Sequence, residues 1–209
     1  MEEENQLRQQ RLQKVEELRT IGIDPYPSFN RVSHKIEEIQ ARFGSLEGAN
    51  PDDPTPTIET AGRLMTQRDF GKSIFFHIQD GSGRLQGYLK KDLIGEEQFA
   101  LFKKIDLGDF LGLEGSLFRT KTGELTLLIK KITLLAKSLR PLPEKFHGLI
   151  DVEQRYRQRY LDLLVNTKVR EIFQVRSRMI SMIRSFMIER GFLEVETPMM
   201  QPIPGGATA

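Results

Sequence analysis

The sequence contains no cysteine among its 209 residues. This absence excludes disulfide bonds, thiolate nucleophiles and cysteine-ligated zinc, and it is compatible with a reducing compartment. The sequence also lacks an apolar run long enough to span a bilayer, and its N-terminus is acidic where a signal peptide would be basic and then apolar. We therefore expect a cytoplasmic protein with no membrane partner.

Neither sign of charge is in clear excess. Lysine and arginine together number 31 against 29 aspartates and glutamates, which gives a net charge of +2. Such a balance does not indicate a nucleic-acid partner, so any site for one must be local. With 38% hydrophobic residues, the chain is long enough for one large domain or two small ones, each with its own core.

The first 56 residues predict a helix followed by a linker. Residues 6–21 are polar and helix-prone, and Gly22 with two following prolines ends the pattern. The apolar residues of this stretch lie within one half of a helical wheel, as in a surface helix that packs on another element: Leu7, Leu12, Val15, Leu18 and Ile21. The stretch 44–56 predicts a loop, and we assign 1–56 to the N-terminal helix and linker.

Residues 57–136 change from helical to strand-like periodicity. Five short β-prone runs are separated by turn signals, notably at 80–83 and 122–123. Between the third and fourth runs, three apolar residues recur at helical spacing: Phe99, Phe102 and Ile105. This order predicts an OB-fold, a five-stranded barrel whose second and third strands commonly face a nucleic acid or an oligosaccharide. A barrel used only for structural packing is the alternative.

Four residues of this predicted barrel are candidates for base recognition. Phe75 is adjacent to Phe76 on the second strand, so one ring lies inside the barrel and the other outside, where it can stack on a base for about 1–3 kcal/mol. Arg68, Gln86 and Glu124 add a cation, an amide and a carboxylate, of which the last two can discriminate base edges. Taken singly, each polar residue is explained by a solvated strand face. Only their convergence on one face would favour binding.

The next segment, 137–165, predicts a helical connector between two domains. It begins with a proline-containing stretch, and Asp151 is placed to cap the helical pattern that follows. Three arginines of that pattern lie close together: Arg155, Arg157 and Arg159. They could hold RNA phosphates, although a charged helix packed between domains is the commoner outcome.

The longest helical pattern lies within the last segment, 166–209. Asn166 is a plausible N-cap, Gly191 supplies a left-handed residue at the C-terminal end, and a short strand-like run then reaches Pro198. The apolar stripe of this helix is broad, which predicts burial in a large domain or against another subunit: Ile172, Val175, Met179, Ile183 and Phe186, widened by Ile180, Met182 and Met187.

Several stretches resemble bacterial-type lysyl-tRNA synthetases. They are RYRQRYLDLLVN, RSFMIERGFLEVETPMM and IPGGATA, supported by FRTKTGEL and LRPLPEKFHGL, so the resemblance extends over essentially the whole chain. GFLEVETP is similar to motif 1 of class II synthetases, whose proline, here Pro198, implies a homodimer interface. Aspartyl and asparaginyl enzymes share the OB-fold and a similar motif 1, whereas the segment 204–207, Pro-Gly-Gly-Ala, resembles the lysyl subgroup.

The resemblance implies roles for the candidate residues. Phe75 would stack on an anticodon base of a lysine tRNA, Arg68 and Gln86 would recognise the central uridine, and Glu124 the third base. Gly205 corresponds to a backbone position near the lysine amino group. The complete enzyme of this family activates lysine with ATP and Mg²⁺ and transfers it to the terminal adenosine of its tRNA.

The catalytic half of that family is expected beyond this sequence. Motifs 2 and 3, which hold ATP and magnesium, are absent, so we expect the N-terminal part of a synthetase ending just after motif 1, within a class II α+β catalytic domain. We expect no catalytic residue, no bound cofactor and no aminoacylation by these residues alone. Nor do the three dispersed histidines suggest a metal site. The alternatives are a stand-alone OB-fold RNA-binding module, or a fragment of an aspartyl- or asparaginyl-type synthetase.

Overall fold

The computed structural model describes residues 2–28, 32–45, 56–143 and 149–200. The chain forms two compact units, residues 1–142 and 143–209, and each is described here by itself. None of the described helices is long and apolar enough to cross a bilayer. The finer division into four segments stays a prediction, and most of the expected loop at 44–56 lies outside the described residues.

The first unit is built on a closed five-stranded barrel with the strand order β1-β2-β3-β5-β4. Its strands are β1 Thr57–Asp69, β2 Ser73–Gln79, β3 Arg84–Lys90, β4 Phe110–Arg119 and β5 Leu125–Ala136. All neighbours are antiparallel except β3 and β5, which are parallel. Two helices lie between β3 and β4, where the sequence predicted one, and the OB-fold expectation is confirmed.

The barrel core follows from strict alternation along the strands. On β2 every second side chain is buried, and Phe76 is fully excluded from solvent. Its ring packs on that of Phe102, in the second of the two helices between β3 and β4, with the ring centroids 4.9 Å apart. Gly87 on β3 lies opposite Phe76. This position suits glycine, because a Cβ there would come within 2.4 Å of the Phe76 ring. The three residues that recur at helical spacing are all buried: Phe99, Phe102 and Ile105.

Among the residues of the first unit that the structure describes, four helices accompany the barrel. They are α1 Glu2–Thr20, α2 Ile36–Phe43, α3 Lys91–Ile94 and α4 Glu96–Lys103. Helix α1 packs as predicted through Val15 and Leu18, whereas Leu7 and Ile21 are exposed. Sequence analysis missed α2, whose first backbone amides donate to the side chains of Asp80 and Ser82 in the β2–β3 turn, at 3.0 Å each. This turn therefore also caps a helix.

The described part of the second unit, residues 149–200, consists of three helices and an irregular segment. They are α5 Val152–Arg157, α6 Arg159–Val165 and α7 Thr167–Ile188. Asp151 caps α5 as predicted, accepting a hydrogen bond from the amide of Gln154 at 2.7 Å. Gly191 has φ +83°, which confirms the expected left-handed residue after α7.

Three polar side chains of this unit contact the carboxylate of Asp162, and they change what the sequence led us to expect of the arginine cluster and of the α7 N-cap. The carboxylate is fully buried and pairs with Arg155, at 3.0 Å, and with Arg159. Asn166 occupies the N-cap position of α7, but its amide donates to Asp162 at 2.6 Å and does not cap the helix. Two of the three clustered arginines thus pair with a buried carboxylate, and the sequence pattern did not predict this pairing.

The residues after Gly191 do not form the expected strand. Residues 192–198 have no regular secondary structure, and no described strand pairs with them. A strand needs a hydrogen-bonded neighbour, so strand-like sequence alone is insufficient. Along α7 the predicted apolar stripe is exposed, with between 51% and 71% of each of the following residues accessible: Ile172, Val175, Met179, Met182, Ile183 and Phe186.

Candidate nucleic-acid interface

The strand register aligns the candidate residues in two adjacent rows on the outside of the barrel. Arg68 on β1 pairs with Phe75 on β2, which pairs with Tyr88 on β3. Two residues along, the second row runs through Thr66, His77, Gln86 and, on β5, Thr126. We call this surface of β1, β2 and β3, together with Glu124 and Thr126, the outer face.

An aromatic platform forms the first row. Phe75 is half-buried while its neighbour Phe76 is in the core, which confirms the inside and outside assignment. The Phe75 ring stacks on Tyr88 with centroids 4.4 Å apart and planes inclined by 24°. Phe70, 65% exposed, meets Phe75 edge-on at 6.1 Å. Sequence analysis missed Tyr88, although alternation along β3 places it on the same side as Gln86.

The amide of Gln86 and the carboxylate of Glu124 meet directly in the second row. Gln86 Nε2 donates to Glu124 Oε2 at 2.6 Å. Glu124 comes just before β5, and a tight turn places it: Gly123, with φ +84°, donates its amide to the carbonyl of Thr120 at 2.8 Å. A side chain at this φ would be strained, so the glycine suits the turn.

Three further polar residues complete this row, and sequence analysis did not identify them. His77 Nε2 lies 3.0 Å from Glu124 Oε1, and its Nδ1 lies 2.8 Å from the hydroxyl of Thr66. The buried hydroxyl of Thr126 donates to Gln86 Oε1 at 2.7 Å. Alternation along β2 places His77 on the same side as Phe75, and this is a sequence signal for His77. Thr126 has no such signal, because it meets Gln86 only where β5 pairs with β3 and closes the barrel.

Exposed cations stand at both ends of the outer face. Arg68 is exposed opposite Phe75, and Lys90 is exposed where β3 ends. At the other end, Arg84 is exposed and its guanidinium is 3.5 Å from the hydroxyl of Thr66. Cations of this kind attract phosphates, whereas the amide and carboxylate between them can discriminate base edges. The convergence that base recognition requires is present.

The remaining predicted residues belong to the second unit. Pro198 is exposed in the irregular segment after α7, and Gly205 lies outside the described residues. Within the described parts of the chain, no group of three or more histidine, aspartate or glutamate side chains is arranged to hold a metal ion. Of the three histidines considered in the sequence, His147 also lies outside those parts.

Comparison with known families matches both units of the chain. Residues 58–135 match the OB-fold nucleic acid binding domain, and residues 151–209 match the class II tRNA synthetases of the D, K and N group. The chain thus combines a nucleic-acid-binding barrel with part of a class II synthetase domain.

Curated relatives narrow the class further. A lysine–tRNA ligase of Magnetococcus marinus is 54% identical over 100% of this chain and 42% of its own length. Those of Carboxydothermus hydrogenoformans and Moorella thermoacetica are each 49% identical over 100% of this chain and 41% of their own lengths. The chain is similar over its whole length to these lysine–tRNA ligases, and it spans about two fifths of their length.

Proposed function

We propose that the outer face recognises the anticodon of a lysine tRNA. In this proposal Phe75 stacks on an anticodon base, Arg68 and Gln86 recognise the central uridine, and Glu124 recognises the third base. The observation that carries the proposal is the direct contact of Gln86 with Glu124 at 2.6 Å, one row away from the Phe75–Tyr88 stack. A stacking surface beside a paired donor and acceptor suits unpaired bases, which are recognised by stacking and by their edges.

The family supports a wider role for the complete protein. We propose that it is a cytoplasmic ligase that activates lysine with ATP and Mg²⁺ and then charges its tRNA. The described residues would contribute tRNA recognition to that reaction, and Gly205 would lie near the lysine amino group.

The exposed stripe of α7 supports a homodimer as the assembly. A groove of about 750 Å³ runs along this helix, lined almost entirely by apolar side chains: Val175, Arg178, Met179, Met182, Ile183, Phe186 and Met187. A contiguous exposed apolar surface of this kind marks an interaction site. We propose that α7 and the segment containing Pro198 contact a second copy of the chain.

The experiment that tests anticodon recognition compares two RNA hairpins at one fixed salt concentration. One carries the lysine anticodon, and the other has cytidine in place of the central uridine. Binding is measured for the chain, for Phe75→Ala and for Phe110→Ala. Phe110 is the matched control, because it is an exposed phenylalanine on β4, outside the outer face, with its ring centroid 4.1 Å from Arg63 Cζ. We expect Phe75→Ala to weaken binding about tenfold, the equivalent of one lost stacking contact, and Phe110→Ala to bind as the parent does.

Equal binding of the two hairpins by the parent chain would contradict the proposal. The barrel would then act through charge alone, and its affinity would fall steeply with salt without regard to base identity.

A further inference from the structure

The carboxylate of Glu124 determines which atoms of its neighbours carry protons. A carboxylate only accepts hydrogen bonds, so the Nε2 atom of His77, 3.0 Å from Oε1, must be the protonated nitrogen of the neutral ring. Nδ1 of His77 is then an acceptor, and the hydroxyl of Thr66 donates to it at 2.8 Å. The ring thereby holds one oxygen of Glu124 in place.

The same carboxylate orients the amide of Gln86. If this amide were turned over, its oxygen would lie 2.6 Å from Glu124 Oε2, with two acceptors facing each other and no proton between them. In the observed orientation the nitrogen donates to Glu124 and the oxygen accepts from Thr126 at 2.7 Å. Both ends of the amide are therefore anchored.

An anchored amide distinguishes uridine from cytidine, whereas a freely turning amide does not. Gln86 retains a second N–H, which can donate to uridine O4, and a second lone pair on Oε1, which can accept from uridine N3–H. Cytidine has the opposite pattern, an amino donor beside a ring acceptor, and it would pair with the same amide only if the amide were turned over.

We propose that His77 and Thr126 are positioning residues for base selection, acting through Glu124 and Gln86 to hold the Gln86 amide in the orientation that favours a uridine. The proposal rests on the anticodon-binding function proposed above and adds two residues to it. Neither residue needs to touch the RNA.

Four variants of the chain test this role with the uridine and cytidine hairpins. Thr126→Val removes the buried hydroxyl at almost constant volume, and Thr126→Ser keeps it. His77→Leu removes the donor to Glu124, and His77→Gln supplies an amide donor in its place. Thr133→Val is the matched control, because Thr133 lies on the same strand but pairs with Gly112 on β4.

The measured quantity is the ratio of the dissociation constants for the cytidine and uridine hairpins. We expect Thr126→Val and His77→Leu each to lower this ratio by about three- to tenfold, the size of one hydrogen bond, with His77→Gln and Thr126→Ser restoring it and Thr133→Val unchanged. Unchanged ratios in both apolar variants, or a uniform loss of affinity for both hairpins, would overturn the positioning role while anticodon binding stands. A parent chain without discrimination would instead overturn both proposals.

The tautomer of His77 gives a second test that needs no RNA and no folding of a variant. The chain contains three histidines, so its imidazole nitrogens can be assigned by ¹⁵N NMR on the neutral form of the rings. We expect the proton of His77 on Nε2. A proton on Nδ1 would be incompatible with donation to Glu124 and would overturn the proposed positioning.

Discussion

Lys137 and Asp109 form an ion pair at 2.7 Å in which both side chains are fully excluded from solvent. The ammonium of Lys137 also contacts Asp106 at 2.6 Å and the carbonyl of Lys104 at 3.1 Å, while Asp109 accepts a hydrogen bond from the amide of Ser138 at 2.7 Å. These contacts join the end of the barrel to the loop before β4.

Removing the ammonium of this pair should strongly destabilise the protein. Lys137→Met leaves the buried carboxylate of Asp109 without its paired ammonium, and breaking such a pair typically costs about 3–5 kcal/mol in the free energy of unfolding. Lys131→Met, at an exposed position on β5, the strand that Lys137 directly follows, is the matched control and should leave that free energy unchanged. Urea unfolding followed by circular dichroism measures both, and equal midpoints would show that the buried pair does not stabilise the fold.

The same cluster predicts a pH dependence through Asp106. Burial alone would raise the pKa of Asp106, but hydrogen bonds from Lys137 and Lys14 and their charges outweigh it and lower the pKa. A carboxylate with a lowered pKa stabilises the fold above its unfolded value, about 3.9, and loses that contribution as the pH falls through the folded value.

We therefore expect Asp106→Asn to be less stable than the parent at neutral pH, with the difference shrinking below about pH 4. Urea unfolding across this range measures it, with Asp92→Asn, at an exposed helix position, as the control. A difference that is independent of pH would mean that the ionised form of Asp106 is not the stabilising species.

Gly87 should not tolerate a side chain, because Phe76 occupies the space. A Cβ at Gly87 would lie 2.4 Å from the nearest atom of the Phe76 ring, whereas one at Gly81 would have no atom within 4 Å. Overpacking of this kind costs about 1–3 kcal/mol. We expect Gly87→Ala to lower the melting temperature, Gly81→Ala to leave it nearly unchanged, and Phe76→Leu to offset part of the Gly87→Ala loss. If the two losses of melting temperature simply added in the double variant, the side chain at position 87 would not be in conflict with the Phe76 ring.

The stripe of α7 predicts concentration-dependent association. We expect Met182→Glu, which puts a charge into the apolar groove, to shift the chain towards monomer in sedimentation velocity by at least tenfold in the dissociation constant, since a charge in an apolar interface is costly. Ser181→Glu adds the same charge to the same helix at a residue that does not line the groove. A monomeric parent chain at all concentrations would rule out association through this surface.

How far the sequence predicted the fold depends on how local each signal was. The five strands followed from alternation and turn residues, and α4 followed from helical spacing; all of these signals act over a few positions. Helix α2 was missed because its N-terminus is capped by Asp80 and Ser82, more than 40 residues along the chain. The expected strand after α7 failed because a strand depends on a neighbour.

The sequence by itself determined that Phe75 and Phe76 face opposite sides of their strand, since successive side chains of a strand alternate, and the structure placed Phe76 inside. It also indicated the lysine–tRNA ligase family through motifs that are continuous in the chain. Only the tertiary structure decided that Gln86 meets Glu124, 38 residues away, and that His77 and Thr126 complete their hydrogen bonds. The physical reason is closure of the barrel, because the parallel pairing of β3 with β5 brings these side chains together and no local pattern encodes that pairing.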